Sequence, residues 1–397
     1  MRRAFAIGIA VMALAAVAQN KPYITRVYDF LPAPGQFVDT VPAYHAGEPR
    51  DSVLARASRA ICGREETDDW GDVTVNVKPG MISLGSFGGY VVFGFDHPVV
   101  NCHDYDFQIF GNSFQSAASS SRGGSSEPGI VMVSEDVNGN GVPDDPWYEL
   151  AGSEYNDPKT QHGYEITYYR PDENKPRTPH PDDANIIDIT YIRWTSNDVN
   201  PDSTAGYVYR NVYHAQSYWP QLEQGSSTLT FKGTKLKNNA EDQGRMFLGR
   251  WQQSWMQFYK DWGYVDNRPD YAYDGSEPQQ GMNMGFKIDW AVDEEGNPVR
   301  LKKVDFIKVY CAMNQQCGWL GETSTEVCGG IDIHPDAVLA YDRGDVNGDG
   351  EVSVADITLL VNLLLGETEN PRSDVNLDDE TSIADITSLV NLVIDQE

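Results

Sequence analysis

Two stretches near the C-terminal end carry oxygen-bearing side chains at every second position. The first holds Asp345, Asn347, Asp349, Glu351 and Ser353 and closes on Asp356. The second holds Asp374, Asn376, Asp378, Glu380 and Ser382 and closes on Asp385. Such a twelve-residue spacing suits Ca²⁺, which takes six to eight oxygens at positions 1, 3, 5, 7, 9 and 12 of a loop. Glu351 and Glu380 would offer main-chain carbonyls, and Ser353 and Ser382 would act through water. Asp closes each loop where an EF-hand has a bidentate Glu. The copies stand 29 positions apart, and each ligand position recurs at that offset. A third oxygen-rich run, Asp136, Asn138, Asn140 and Asp144, has Trp147 where an acid would close the loop. It reads either as a cation loop of another kind or as an Asn/Gly turn between strands.

The elements that must hold the paired loops follow them directly. Apolar residues fall at Ile357, Leu360, Val361, Leu364 and Leu365, and again at Ile386, Leu389, Val390, Val393 and Ile394. That is helical spacing, one stripe per helix. Two loop–helix units are too small to fold alone, so they should pair their stripes, with the metal supplying folding energy. Gly344–Ile394 resembles a type I dockerin along its whole length. Copy two departs from the pattern at position 6, where Asp379 replaces the turn glycine. The resemblance implies Ca²⁺ as cofactor and a cohesin-like partner, or the chain's own body, met through loop positions 10 and 11. Those are Val354, Ala355, Ile383 and Ala384, more apolar than the Ser/Thr pairs of cellulosomal members.

The chain has 397 residues and a formal charge of −29. Residues 344–397 hold 13 acids against one base. Nucleic acid and anionic lipid are poor partners for such a surface, and cations are good ones. Met1-Arg2-Arg3 precedes a small, apolar run ending in Ala16-Val17-Ala18, which reads as a secretory signal peptide over 1–18. The run is too short to span a bilayer, and no other approaches that length. A secreted or cell-surface protein follows as the expectation. Among the five cysteines, Cys311, Cys317 and Cys328 lie close enough in sequence to supply one disulfide.

The expected organisation is a body over 22–335, a linker over 336–343 and the terminal module over 344–397. The body should be mainly β, an antiparallel sandwich or jelly roll. Strands are expected at Gly89–Phe95, Phe107–Phe110, Ile130–Val133, Trp147–Leu150, Tyr164–Tyr169, Ile186–Trp194, Ser227–Phe231 and Val304–Tyr310. A short helix is expected at Ser52–Ile61, a mobile loop at Ser116–Ser126 and a further loop at Asp172–Ala184. Phe247, Trp251, Trp255, Phe258 and Trp262 fall at spacings of 4, 4, 3 and 4, which predicts a helical aromatic stripe. The stripe would face the core, or Trp251, Trp255 and Trp262 would form a stacking platform for a sugar or another flat ligand.

Blocks such as Leu84–Asn101, Asp106–Phe114 and Ser125–Tyr155 resemble a family of Bacteroidetes cell-surface proteins, and the strand pattern resembles galactose-binding-like jelly rolls, the fold of many carbohydrate-binding modules. Together they imply a binding protein for a glycan or another nutrient ligand. No nucleophile elbow, zinc-protease helix or P-loop is present, and no two histidines stand at metal-ligand helix spacing. Because dockerins often accompany glycoside hydrolases, an enzyme acting on glycosidic bonds through a carboxylate pair is the second reading. Glu127, in Ser126-Glu127-Pro128-Gly129, would be a site acid or a loop tether.

Overall fold

The computed structural model describes residues 20–67, 70–102, 105–116, 122–247, 249–270, 285–337, 344–347, 352–366, 370, 372–376 and 380–394. The signal segment 1–18, most of the linker 336–343, His103 and the expected ligands Asp349, Glu351 and Asp378 lie outside them, as does Asp379.

The body is mainly β, and its paired strands are antiparallel. The largest sheet has six strands in the order Arg26–Leu31, Tyr90–Gly94, Phe306–Cys311, Gly129–Ser134, Tyr148–Leu150 and Ala291–Val292. Three of its four inner strands, Tyr90–Gly94, Phe306–Cys311 and Gly129–Ser134, are buried along almost their whole length, so they read as continuous apolar runs. A four-stranded sheet runs Ala205–Asn211, Ile186–Ser196, Gln161–Tyr169 and Thr228–Lys235. There the burial alternates: Tyr164, Ile166 and Tyr168 point inward from one strand, Leu229 and Phe231 from its neighbour. This is the two-residue period of a sheet with one buried face.

Both sheets share one apolar core. Phe87 is the bridge: its ring meets Tyr164 edge-on at 4.8 Å and Tyr310 at 6.3 Å, and its carbonyl accepts from the Tyr168 hydroxyl. Helix α1 (Arg50–Ile61) lies against the strand Arg26–Leu31 and buries Val53, Ala57 and Ile61, one face at i, i+4 and i+8.

The expected strands all fall on strands, most within one or two residues of their bounds. The aromatic stripe does not form a helix. Arg245–Phe247 and Arg250–Gln252 pair as an antiparallel hairpin, and Trp255–Phe258 is a strand pairing with Ala240–Asp242. Gly249, at φ +74°, makes the reversal that a helix could not accommodate. The expected disulfide is also absent: all five cysteines are free thiols, with Cys311, Cys317 and Cys328 buried.

Helices α2 (Val354–Leu365) and α3 (Ile383–Ile394) form the terminal module. Val346, Leu360, Val375 and Leu389 make its core, with Ile357, Leu364, Ile386 and Val393 packed around it. The stripes are not quite those expected: Leu359, Leu363 and Leu392 pack on this core where Val361 and Val390 do not, and each stripe ends one residue early. Leu365 and Ile394, the last residue of each helix, are 80% and 61% exposed. Among the described residues no helix is long and apolar enough to cross a membrane.

Candidate functional sites: a paired cation module and an acidic cleft

In the terminal module each loop folds around its closing acid. Asp356 is fully buried; its Oδ1 accepts from the Asn347 N–H at 3.0 Å and its Oδ2 from the Ser353 N–H at 2.8 Å. The Ser353 hydroxyl oxygen in turn accepts from the Ala355 N–H, so Ser353 and Asp356 form a capping box at the start of α2. Copy two repeats this: Asp385 Oδ1 and Oδ2 accept from the Asn376 and Ser382 N–H groups at 3.0 and 2.7 Å, and Ser382 accepts from Ala384. Burial favours the neutral acid at Asp385, but these backbone donors outweigh it and hold its carboxyl below the usual range. An ionised, wholly buried acid at the end of an all-oxygen loop fits a hard cation. Asp345, Asn347 and Asp356 would hold one ion and Asp374, Asn376 and Asp385 the other, each ion tying a loop to its helix. Arg372 reaches to 3.8 Å from Asp345 Oδ2 and balances part of that charge.

Val354, Ala355, Ile383 and Ala384 are all exposed, so they do not complete the module's core. Asn362 and Asn391 are exposed beside them on the same helices.

Residues 343–394 match the family model for the Dockerin type I domain. No curated protein matches the chain. The dockerin match brings with it calcium binding and assembly with a cohesin-type protein. The exposed apolar start of both dockerin helices is consistent with that use.

Within the body, the run Asp136–Asp144 folds on itself at the surface. Asp136 accepts from the Asn140 and Gly141 N–H groups, Asn140 from Val142, and the Asn138 and Asn140 amides donate to Asp144. These bonds satisfy the loop as a turn, and they also gather its oxygens in one place.

Asp266 builds the more deeply buried site. Its backbone sits at φ +55°, in the left-handed region that Asp tolerates better than most residues. Its Oδ1 accepts from the N–H groups of Asn112 and Ser113 at 2.8 and 2.7 Å, and its Oδ2 from Glu326 at 3.0 Å. Its carbonyl accepts from the Glu127 N–H at 2.9 Å. One residue thereby pins three separate segments and brings Glu127, Asp266 and Glu326 together, with one oxygen from each within 4.8 Å of the others. Glu127 is therefore neither a lone acid nor a mere tether; it belongs to a cluster that no local spacing announces. Asp266→Ala would orphan the buried amides of Ser113 and Glu326 and the part-buried amide of Asn112, so the body should lose about 3 kcal/mol or more, read as a lower urea midpoint at unchanged slope.

Above the cluster opens a cleft of about 420 Å³. Glu127, Glu326 and a further buried acid, Glu322, line it, together with Trp255, Trp319, Tyr213 and Phe114. Carboxamides of Gln36, Asn112, Asn211 and Gln257 complete the wall. Gln257 Nε2 donates to Glu127 Oε1 at 3.2 Å, and the Gln36 N–H donates to Glu322 Oε1 at 2.6 Å. Burial pushes Glu127 up to about 7 and Glu322 up to about 8. A roomier hollow of about 650 Å³ around Arg170, Glu173 and Trp219 gathers no comparable set of acids.

Of the three tryptophans considered as a platform, Trp255 lines this cleft. Trp251 is half exposed on its hairpin with its Nε1–H donating to Asp242. Trp262 packs on Trp290, ring centroids 4.5 Å apart. The three do not form one surface stripe as a helix would have made them. Trp319, Tyr213 and Phe114 were not visible as site residues, because their neighbourhood is assembled from remote segments.

Proposed function

We propose that the chain is a secreted or cell-surface binding protein whose body takes a glycan or another polar nutrient ligand. Its dockerin attaches it, with Ca²⁺, to a cohesin-type partner. The body belongs, on this reading, with the jelly-roll binding modules. The observation that carries the ligand reading is the cleft that sets Trp255, Trp319 and Tyr213 beside buried carboxylates and carboxamides. Aromatic faces take the apolar C–H faces of a sugar, and fixed oxygens and amides take its hydroxyls; few other small ligands ask for both. Tyr213 and Trp319 already meet edge-on at 5.9 Å, a preorganised wall.

A glycan array probed with the full chain, followed by calorimetry on the best hit, tests this. Trp319→Ala should weaken binding about tenfold or more, while Trp251→Ala, which is not part of the cleft lining, should leave it unchanged. No glycan bound, or equal loss from both variants, would count against the cleft. A reducing-sugar assay run on the same samples separates binding from cleavage. Steady product release that Glu322→Gln abolishes would place the chain among the glycosidic hydrolases instead.

A further inference from the structure

Three acidic side chains, Glu127, Asp266 and Glu326, meet at the base of the cleft, a fourth, Glu322, lines its wall, and none of them is ion-paired to a Lys, Arg or His among the described residues. Glu322, Glu326 and Asp266 are 5%, 4% and 3% exposed. Glu127 and Glu326 offer carboxylate oxygens within 4.8 Å of each other. Buried like charges at such range repel strongly unless protons or a cation intervene.

The hydrogen bonds leave acceptor capacity pointing to a cation. A carboxylate oxygen offers two lone pairs. Asp266 Oδ1 spends both on Asn112 and Ser113, whereas Oδ2 takes only Glu326's N–H. Glu127 Oε1 accepts from Gln257 and Ser324, and Glu326 Oε1 from the Ser324 hydroxyl. The independent sign is Glu322. Its Oε2 is buried with no hydrogen-bond partner, on the wall of the same cavity. The hydroxyl of Ser113, 6% exposed and next to Asp266, is likewise without a partner. A buried polar atom left unmatched is destabilising, and a bound ion with its waters would match it.

We infer that Glu127, Asp266 and Glu326 bind a hard divalent cation of the Ca²⁺ class at the base of the body's cleft, with Glu322 facing its remaining coordination positions. Ca²⁺ holds oxygens at 2.3–2.6 Å, so two ligands of one ion stand at most about 5 Å apart; the three carboxylates meet that limit at 4.8 Å. An all-oxygen set with no imidazole or thiolate selects against zinc and copper. The ion would sit where its open positions face the cleft, available to water or to hydroxyls of a ligand. This inference rests on the carboxylate geometry and holds whatever the cleft takes.

The dockerin also binds Ca²⁺, so the test must tell the sites apart. Every tryptophan of the chain lies at or before Trp319, so the dockerin has none, while Trp255 and Trp319 line the cleft. Tb³⁺ titrated into the full chain and excited through tryptophan therefore reports the body, and Asp136→Ala with Asp144→Ala removes the oxygen-rich surface run that ends beside Trp147, so that the emission left is that of the cleft's ion. Emission should saturate at one ion per chain and be displaced by Ca²⁺. Glu127→Gln with Glu326→Gln should weaken it at least about tenfold. Absent emission in the unaltered chain, or emission unchanged in the double variant, overturns the site. A second measurement does not depend on how that variant folds. The full chain carrying Asp345→Ala, Asp374→Ala and, in the surface run, Asp136→Ala and Asp144→Ala keeps the cleft untouched and should retain one Ca²⁺ in equilibrium dialysis. A folded chain of this kind that retains none overturns the proposal equally.

Discussion

Chelating Ca²⁺ from the full chain is expected to melt α2 and α3 and leave the β-rich body folded. The dockerin's buried core is four side chains with a partly buried ring around them, far less than a domain of its size needs without a metal. Each loop ends on a fully buried acid, Asp356 or Asp385, whose oxygens accept from the loop's own backbone amides. Removing the ion leaves the loop's acids to repel one another, and the helices lose their N-terminal anchor. The body's sheets share a much larger core that owes nothing to these loops. Amide hydrogen exchange with and without EGTA reads both halves at once. Residues 354–365 and 383–394 should lose protection, and residues 306–311 should keep it. Equal protection of the helices in EGTA would refute metal-dependent folding. Asp356→Ala should cost on the order of 3 kcal/mol even in saturating Ca²⁺, because it removes two charge-assisted acceptors and the capping box together.

Val354→Asp combined with Ile383→Asp should abolish capture of a cohesin-type partner, with affinity falling at least about 100-fold. The two residues are 66% and 78% exposed, one at the first position of each helix. Exposed β-branched residues in equivalent places of both repeats make an apolar contact surface, and a carboxylate buried against it would have no partner. Because neither residue fills the core, the variant should keep Ca²⁺-dependent helix content in circular dichroism. Both sites near an N-terminal helix end also tolerate an acid, which the helix dipole favours. Capture undiminished in the folded double variant would move the docking surface elsewhere. Each single variant should retain measurable binding if the repeats can substitute for one another, and none if both faces engage together.

Local chemistry determined a good part of this protein without any tertiary information. The paired loops were legible because calcium ligation and the helix that follows are written within a dozen residues. The strands were legible because half-buried strands alternate and buried ones run apolar, as at Tyr164–Tyr168 and Ile130–Val133. Exposure was the part that spacing could not supply: Leu365 and Ile394 match the stripe by position, yet each lies at a helix end and stays exposed among the described residues. The aromatic stripe from Phe247 to Trp262 shows the same limit more sharply. Spacings of three and four arise as easily from two short strands and a glycine turn as from a helix, and only partner strands decide between them. Cysteines close in sequence were not joined, since pairing depends on where each backbone goes. The acidic cleft belongs wholly to the tertiary structure. Glu326 and Asp266 are 60 positions apart, and Ser324 and the Glu127 it hydrogen-bonds are 197 apart. Their meeting is set by a single strained residue whose carboxylate gathers amides from remote segments, a relation no period along the chain can encode.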